Sequence, residues 1–187
     1  MKKVLFLLLL VIFSSNAYSQ EPMAFSEVIQ QEGKSASDLY KVVKKWFAVT
    51  FVSAQDVIQY DDAGNEITGK ARISYECKNL TWAASSGFIS YMVDVRVRDG
   101  RLKVVISDFI HQSTDLRFGK EWSNGVVFKE LPTDEQLKAL GHGGLAKKQY
   151  KAIDKRVRPL CIQETASLVA SLKNYLLKNK VEVEEDW

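Results

Sequence analysis

The sequence predicts an α+β fold in which one antiparallel sheet carries helices on one of its faces. Apolar and polar residues alternate from Ile67 to Cys77 and again from Phe88 to Arg98, which is the pattern of strands with one buried face. Asp99-Gly100 follows directly and is a strong signal for a two-residue hairpin turn, which would place Val97 opposite Leu102 and Val95 opposite Val104. Apolar residues recur at helical spacing before and after this region, so helices are available to cover the apolar face of the sheet.

Residues 1–19 have the order of a secretory signal peptide. Two lysines precede an unbroken apolar run from Val4 to Phe13, and Ala17-Tyr-Ser19 offers small residues at the −3 and −1 positions of a cleavage site. The apolar run is too short to span a membrane. We therefore expect an exported protein, periplasmic or secreted, with a mature chain that starts at Gln20 and has no transmembrane segment.

Composition predicts one globular domain, which we place at residues 20–180. Of the 187 residues, 46% are hydrophobic and 26% are charged, as in ordinary folded proteins of this size. Loss of the two signal-peptide lysines leaves 24 basic against 23 acidic residues, a net charge of +1. This balance does not indicate a nucleic-acid partner. The acidic residues 181–187 are expected to form a frayed tail.

A strand and then a helix are predicted at the start of the domain. Ala24 to Gln30 is predicted as the strand, and Ser35 with Asp38 resembles a capping box at the start of the helix. The apolar residues that follow are Leu39, Val42, Val43, Trp46 and Phe47. Their spacing forms one continuous stripe with lysines on the other side, which predicts a helix that packs on the core.

Four antiparallel strands are predicted next. A short strand from Asp56 to Asp61 ends in a turn, because the sequence Asp61-Asp-Ala-Gly-Asn65 is rich in turn residues. The two alternating strands described above follow. The last strand runs from Arg101 to Ile110 and completes the hairpin.

The C-terminal part predicts helices after an irregular segment. Gln112 to Leu131 lacks a regular pattern, apart from a candidate edge strand at Val126 to Phe128. A capping box at Thr133 predicts a short helix. A helical pattern then extends from Leu145 to Leu177, and Pro159 within it predicts either a kink or the start of a second helix.

Four segments together resemble a known family. They are GKSASDLYKVVKKWF, SAQDVIQYDD, the strand from Gly69 to Tyr75, and VISDFIH. This combination resembles a family of exported bacterial proteins that is known as a domain of unknown function with a TATA-binding-protein-like (TBP-like) fold. The resemblance covers Phe25 to Leu177 and implies the fold and an exported location. It implies no catalytic residues, because none is established for the family.

Basic residues line the predicted outer face of the sheet. They are Lys70, Arg72, Arg96, Arg98, Arg101 and Lys103. Across the predicted turn, Arg98 faces Arg101 and Arg96 faces Lys103, and like charges directly opposite one another are unfavourable in a sheet. The cluster is therefore a candidate anion-binding face for an acidic glycan, lipopolysaccharide phosphate or an acidic protein segment. The alternative is a solvated face whose long side chains extend into water.

Histidines and cysteines offer the other candidate sites. His111 and His142 are candidate general bases, but neither lies in a known catalytic motif. An envelope hydrolase with a site near His111 and segment 112–131 is therefore the alternative function. Cys77 and Cys161 are a candidate disulfide, or two separate buried thiols. Without clustered histidines or a CxxC motif, we expect no metal or other cofactor.

These observations predict a binding or interaction module of the bacterial envelope. The expected partner is an unknown envelope protein or an acidic glycan, and a purely structural accessory subunit is a third option. DNA is not expected as a ligand. The DNA-binding saddle of the eukaryotic TATA-binding protein consists of two tandem copies of the fold, with apolar side chains that wedge into the minor groove. This chain has one copy with a polar outer face and a mature charge near zero.

Overall fold

The structure, a computed structural model, contains one antiparallel sheet whose inner face is covered by helices. It describes residues 20–51, 57–62, 65–114 and 122–179. The predicted signal peptide and acidic tail lie outside the described residues. Within these residues, no helix is both long and apolar enough to cross a membrane. The predicted α+β class is confirmed.

The sheet has six strands in the order β1-β5-β4-β3-β2, and the short β6 pairs with β5. The strands are β1 (Phe25–Gln30), β2 (Val57–Asp62), β3 (Glu66–Tyr75), β4 (Gly87–Arg98), β5 (Arg101–Ser113) and β6 (Gly125–Val126). The helices are α1 (Ala36–Thr50), α2 (Asp134–Ala139) and α3 (Gly144–Lys178), with a 3-10 helix at Leu80–Ser85. The first strand in the chain therefore lies beside the last long one.

The hairpin of β4 and β5 has the predicted two-residue turn and register. Val97 pairs with Leu102 and Val95 with Val104, and all four side chains are buried. The turn itself is fixed to α1, because the Asp99 carboxylate accepts a 2.8 Å hydrogen bond from the backbone N–H of Ala36. The hairpin end is therefore held by the start of α1.

A β-bulge in β5 changes which side chains face the core. Ser90 pairs with Ile110 whereas Met92 pairs with Ser107, so two residues of β5, Asp108 and Phe109, oppose Tyr91. Asp108 adopts a left-handed conformation with φ of 55°. An extra residue reverses the alternation of side chains beyond it. Phe109 and the residue two positions after it, His111, are consequently buried.

Helix α1 packs its predicted apolar stripe on the sheet. Its Ser35 cap is confirmed, and Leu39, Val43, Trp46 and Phe47 are buried. The Phe47 ring lies against Gly69 in the middle of β3, where a Cβ would come within 2.8 Å of a ring carbon. The glycine therefore makes room for the helix.

The C-terminal predictions are confirmed in outline. Both hydrogen bonds of the Thr133 capping box are present, and the edge strand is two residues long, at Gly125–Val126. Helix α3 is continuous from Gly144 to Lys178 with Pro159 inside it, so the proline does not start a second helix.

Candidate anion-binding surface and the adjacent groove

The six predicted basic residues are all exposed on the outer face of the sheet. Arg98 pairs with Arg101, and Arg96 pairs with Lys103 across the hairpin, as predicted. The other two, Lys70 and Arg72, pair instead with Met92 and Ser90 on β4. They lie four or more residues further along the strands than Arg96, which is a separation of about 13 Å. The structure therefore divides the predicted face into two groups.

Acidic side chains neutralise part of the group near the hairpin. Arg96 donates to Glu66 at 3.1 Å and to Asp94 at 3.2 Å. The pKa of Asp94 is raised, mainly by burial and next by the nearby Glu66 carboxylate. The charge of Arg96 is thus balanced by Glu66 and Asp94 on the same face, so Arg96 would attract an anionic ligand only weakly.

Three cations remain at the end of the hairpin: Arg98, Arg101 and Lys103. In the described part of the chain, no carboxylate lies within ion-pair distance of them. They line a shallow depression of about 300 Å³ together with Val28 and Arg96. We call Arg98, Arg101 and Lys103 the hairpin cation cluster. Because like charges face one another here, an anionic ligand would relieve their repulsion.

Lys70 and Arg72, the two basic residues further along the sheet, have different surroundings. The Arg72 guanidinium lies 5.0 Å from the centre of the Phe88 ring, a cation–π contact. Lys70 is exposed nearby. This second group serves as a comparison for the hairpin cation cluster, because its residue types and exposure are similar.

An apolar groove runs along the inner side of β1. It has a volume of about 390 Å³ and lies between β1 and α3. Phe25 and Ile106 line its sheet side, and Ile162, Val169 and Ala170 line its helix side. Lys173 of α3 forms a 2.5 Å ion pair with Glu27 of β1, so one part of the groove is bridged by charge.

A family match covers the sheet region. Residues 25–112 match a family described as a domain of unknown function (DUF4468) with TBP-like fold. These residues are a domain of that family. No curated protein matches the sequence.

Two solved structures are similar to this TBP-like domain. One is a TBP-like protein from Parabacteroides distasonis with 15% identity and a TM-score of 0.50, and the match covers 82% of this chain and 94% of that one. The other is a DUF4468 family protein from Bacteroides ovatus with 16% identity and a TM-score of 0.48, covering 81% and 86% of the two chains. At 15% identity the likeness to the Parabacteroides structure shows the fold, and the fold alone does not assign a ligand.

His111, a candidate general base, lies inside β5 of the TBP-like domain and makes structural contacts there. Its Nε2 lies 2.9 Å from the carbonyl of Ser85, to which it donates, and its Nδ1 accepts from the backbone N–H of Asn124 at 3.1 Å. The ring also packs edge-on against Tyr75 at 5.2 Å. Both ring nitrogens are therefore occupied by backbone groups, and His111 ties the 3-10 helix to the segment before β6.

Burial lowers the pKa of His111, and this predicts a dependence of stability on pH. As the pH falls through about 6.5, the unfolded chain therefore takes up a proton at this histidine more readily than the folded protein does. The free energy of unfolding should therefore fall as the pH decreases through this range. Urea titrations at pH 8 and pH 5 measure the change, and His111→Gln should reduce it. If the change between pH 8 and pH 5 is as large in His111→Gln as in the unaltered protein, the prediction is wrong.

Cys77 and Cys161 are both buried and both free in the structure. Cys77 follows β3, and Cys161 lies on the core side of α3. Burial raises the pKa of the Cys161 thiol to about 12, so it is protonated and unreactive at neutral pH. The candidate disulfide between the two residues stays a prediction.

Helix α3 contains a buried ion pair between Asp154 and Arg158 that was not predicted from the sequence. Arg158 donates to the Asp154 carboxylate at 2.9 to 3.1 Å, and it also donates to the carbonyls of Phe128 and Lys129. The sequence signal for this pair was the four-residue spacing between Asp154 and Arg158, which places the two side chains next to each other on a helix. The pair fastens the segment after β6 to α3.

Proposed function

We propose that this protein is an exported, non-catalytic binding module of the bacterial envelope that holds an anionic partner at the hairpin cation cluster. The observation that carries the proposal is the presence of three exposed cations without a carboxylate partner among the described residues. Export is supported by the sequence of residues 1–19.

The position of the cluster supports binding because its backbone is well fixed. The Gly100 N–H donates to the carbonyl of Lys34, and the Gly100 carbonyl accepts from Gln31, both at 2.8 Å. With the Asp99 contact to α1, the turn is joined to two neighbouring segments. Binding then requires little ordering of the backbone, which lowers its entropic cost.

The alternative hydrolase receives less support from the described residues. His111, its central candidate, has both ring nitrogens engaged by backbone groups and is fully buried. Part of the segment assigned to that site, 115–121, lies outside the described residues. A general base needs a nitrogen within reach of a substrate proton, which His111 does not present here.

The proposal predicts binding of an acidic peptide that depends on the hairpin. The probe is fluorescein-labelled hexaglutamate, and fluorescence anisotropy at low salt measures its Kd. Reversing two charges with Arg98→Glu and Arg101→Glu should weaken binding by about tenfold or more, because attraction becomes repulsion. The effect should diminish as salt is added.

The matched control reverses the same number of charges on the same face. Lys70→Glu with Arg72→Glu changes the net charge by an equal amount, six or more residues from Arg98 along the strands, which is about 20 Å. This variant should retain most of the hexaglutamate binding. Equal losses in the two variants would mean that only net charge matters, and the proposed site would be wrong.

A further inference from the structure

The outer edge of β1 presents unpaired backbone groups. The Gln31 N–H donates to Gly100, which lies directly opposite it in the β1–β5 register. Since backbone groups alternate in direction along an antiparallel strand, Ser26, Val28 and Gln30 direct their N–H and C=O groups away from β5. Among the described residues, no backbone hydrogen bond from another strand reaches them. Such an edge is a template for another strand.

The apolar groove lies on the inner side of this edge. A strand added beside β1 would direct every second side chain to the inner face of the sheet. There it would meet the groove, whose α3 wall includes Ile162 and Val169. The Ile162 side chain is 48% exposed although it is apolar. Apolar side chains at alternate positions of the added strand would cover it.

The outer side of the same edge has the opposite chemistry. Val28 pairs with Lys103, and Gln30 pairs with Arg101. A strand added to β1 would lie two strand spacings, about 10 Å, from β5, within reach of these long side chains. Carboxylates at its outward positions would therefore meet two members of the hairpin cation cluster.

We infer that the β1 edge binds an extended segment of a partner protein in which apolar residues alternate with acidic ones. The inference rests on the proposed function, because the acidic positions use part of the hairpin cation cluster. It adds the form of the partner: a strand that extends the sheet, with its apolar side in the groove and its acidic side toward Arg101 and Lys103.

A second copy of the chain is a poorer occupant of this edge. Pairing of two β1 strands would put a second set of Arg101 and Lys103 on the same face, about 14 Å from the first. It would also offer these cations no carboxylate, because the outward residues of β1 are Ser26, Val28 and Gln30. The charge of the site therefore selects against self-association and for an acidic strand.

The first test compares two labelled octapeptides of equal composition. In one, valine and glutamate alternate; in the other, four valines precede four glutamates. The alternating peptide should bind about tenfold more tightly, because only its pattern matches both sides of the edge. Ile162→Glu should remove this advantage by placing a carboxylate in the groove. Leu145→Glu, at a more exposed position of α3, should preserve it.

The second test detects strand addition directly. Residue-level hydrogen exchange should show that the amides of Ser26, Val28 and Gln30 become protected when the alternating peptide binds. Hexaglutamate binding is measured in parallel with Ile162→Glu. If that binding is retained while the alternating peptide shows no advantage, the inference is wrong and the proposed function stands. If hexaglutamate does not bind to the unaltered protein, the proposed function fails.

Other occupants of the edge give distinct results. A chain that ends at Asn179 lacks residues 181–187, whose sequence VEVEEDW also alternates valine with glutamate at its start. If only this shortened chain binds the alternating peptide, the chain's own segment competes for the edge, and the inference of a separate partner is overturned. A concentration-dependent dimer that excludes the peptide would overturn it in favour of a second copy.

Discussion

Replacement of Trp46 by alanine is expected to lower the free energy of unfolding by about 3 to 5 kcal/mol, the range for removal of a large aromatic side chain from a core. Trp46 is among the largest fully buried side chains. It contacts the rings of Phe47 and Phe51 at 5.1 and 5.6 Å between centroids. Its Nε1 donates to Ser171 of α3 at 3.1 Å, so the substitution removes both packing and a link between the helices.

Urea unfolding monitored by circular dichroism measures this change. Val49→Ala is the control on the same helix, because Val49 is 58% exposed and its truncation should have little effect. A loss below about 1 kcal/mol for Trp46→Ala would contradict the packing of α1 on the sheet.

Asp154→Ala is expected to destabilise the protein by about 3 to 5 kcal/mol, the range observed when one partner of a buried ion pair is removed. Asp154 and Arg158 are both largely buried. Burial raises the pKa of Asp154, and the Arg158 guanidinium opposes this shift. Without the carboxylate, the Arg158 charge would lose its main compensation in a poorly solvated position.

Two further variants separate this pair from ordinary surface ion pairs. Adding Arg158→Met to Asp154→Ala removes the uncompensated charge and should recover part of the lost stability. Asp134→Ala removes an exposed carboxylate that pairs with Lys147 and Lys151, and its effect should be much smaller. If the double variant is less stable than Asp154→Ala alone by the full effect of Arg158→Met, the two residues are not coupled.

Much of the sheet was predictable because its signals are local. Alternation within β3 and β4 identified their buried faces, and Asp99-Gly100 fixed the register of the β4–β5 hairpin. The bulge in β5 was not predicted, since it concerns how two strands pair. The sequence did contain a signal for the bulge. Regular alternation along β5 would bury Asp108 and expose Phe109, whereas the bulge exposes Asp108 and buries Phe109.

The candidate site was predictable only in part. The alternation predicted the outer face and its six basic residues. It did not predict that these residues fall into two separate groups. The pairing of Glu66 with Arg96 depends on the register between β3 and β4, and the connection between those strands contains a 3-10 helix that has no regular sequence signal. The groove depends on where α3 lies beside β1, which tertiary packing determines.

The placement of β1 beside β5 has a consequence for the order in which the domain assembles. Strands β2 to β5 form a meander of neighbours in sequence, whereas β1 must pair with β5, the last strand of that meander. Because closing a long loop costs more entropy than closing a short one, we expect the meander to form first and β1 to join late. Synthesis on the ribosome favours the same order, because β1 leaves the ribosome before β5, its partner, has been synthesised.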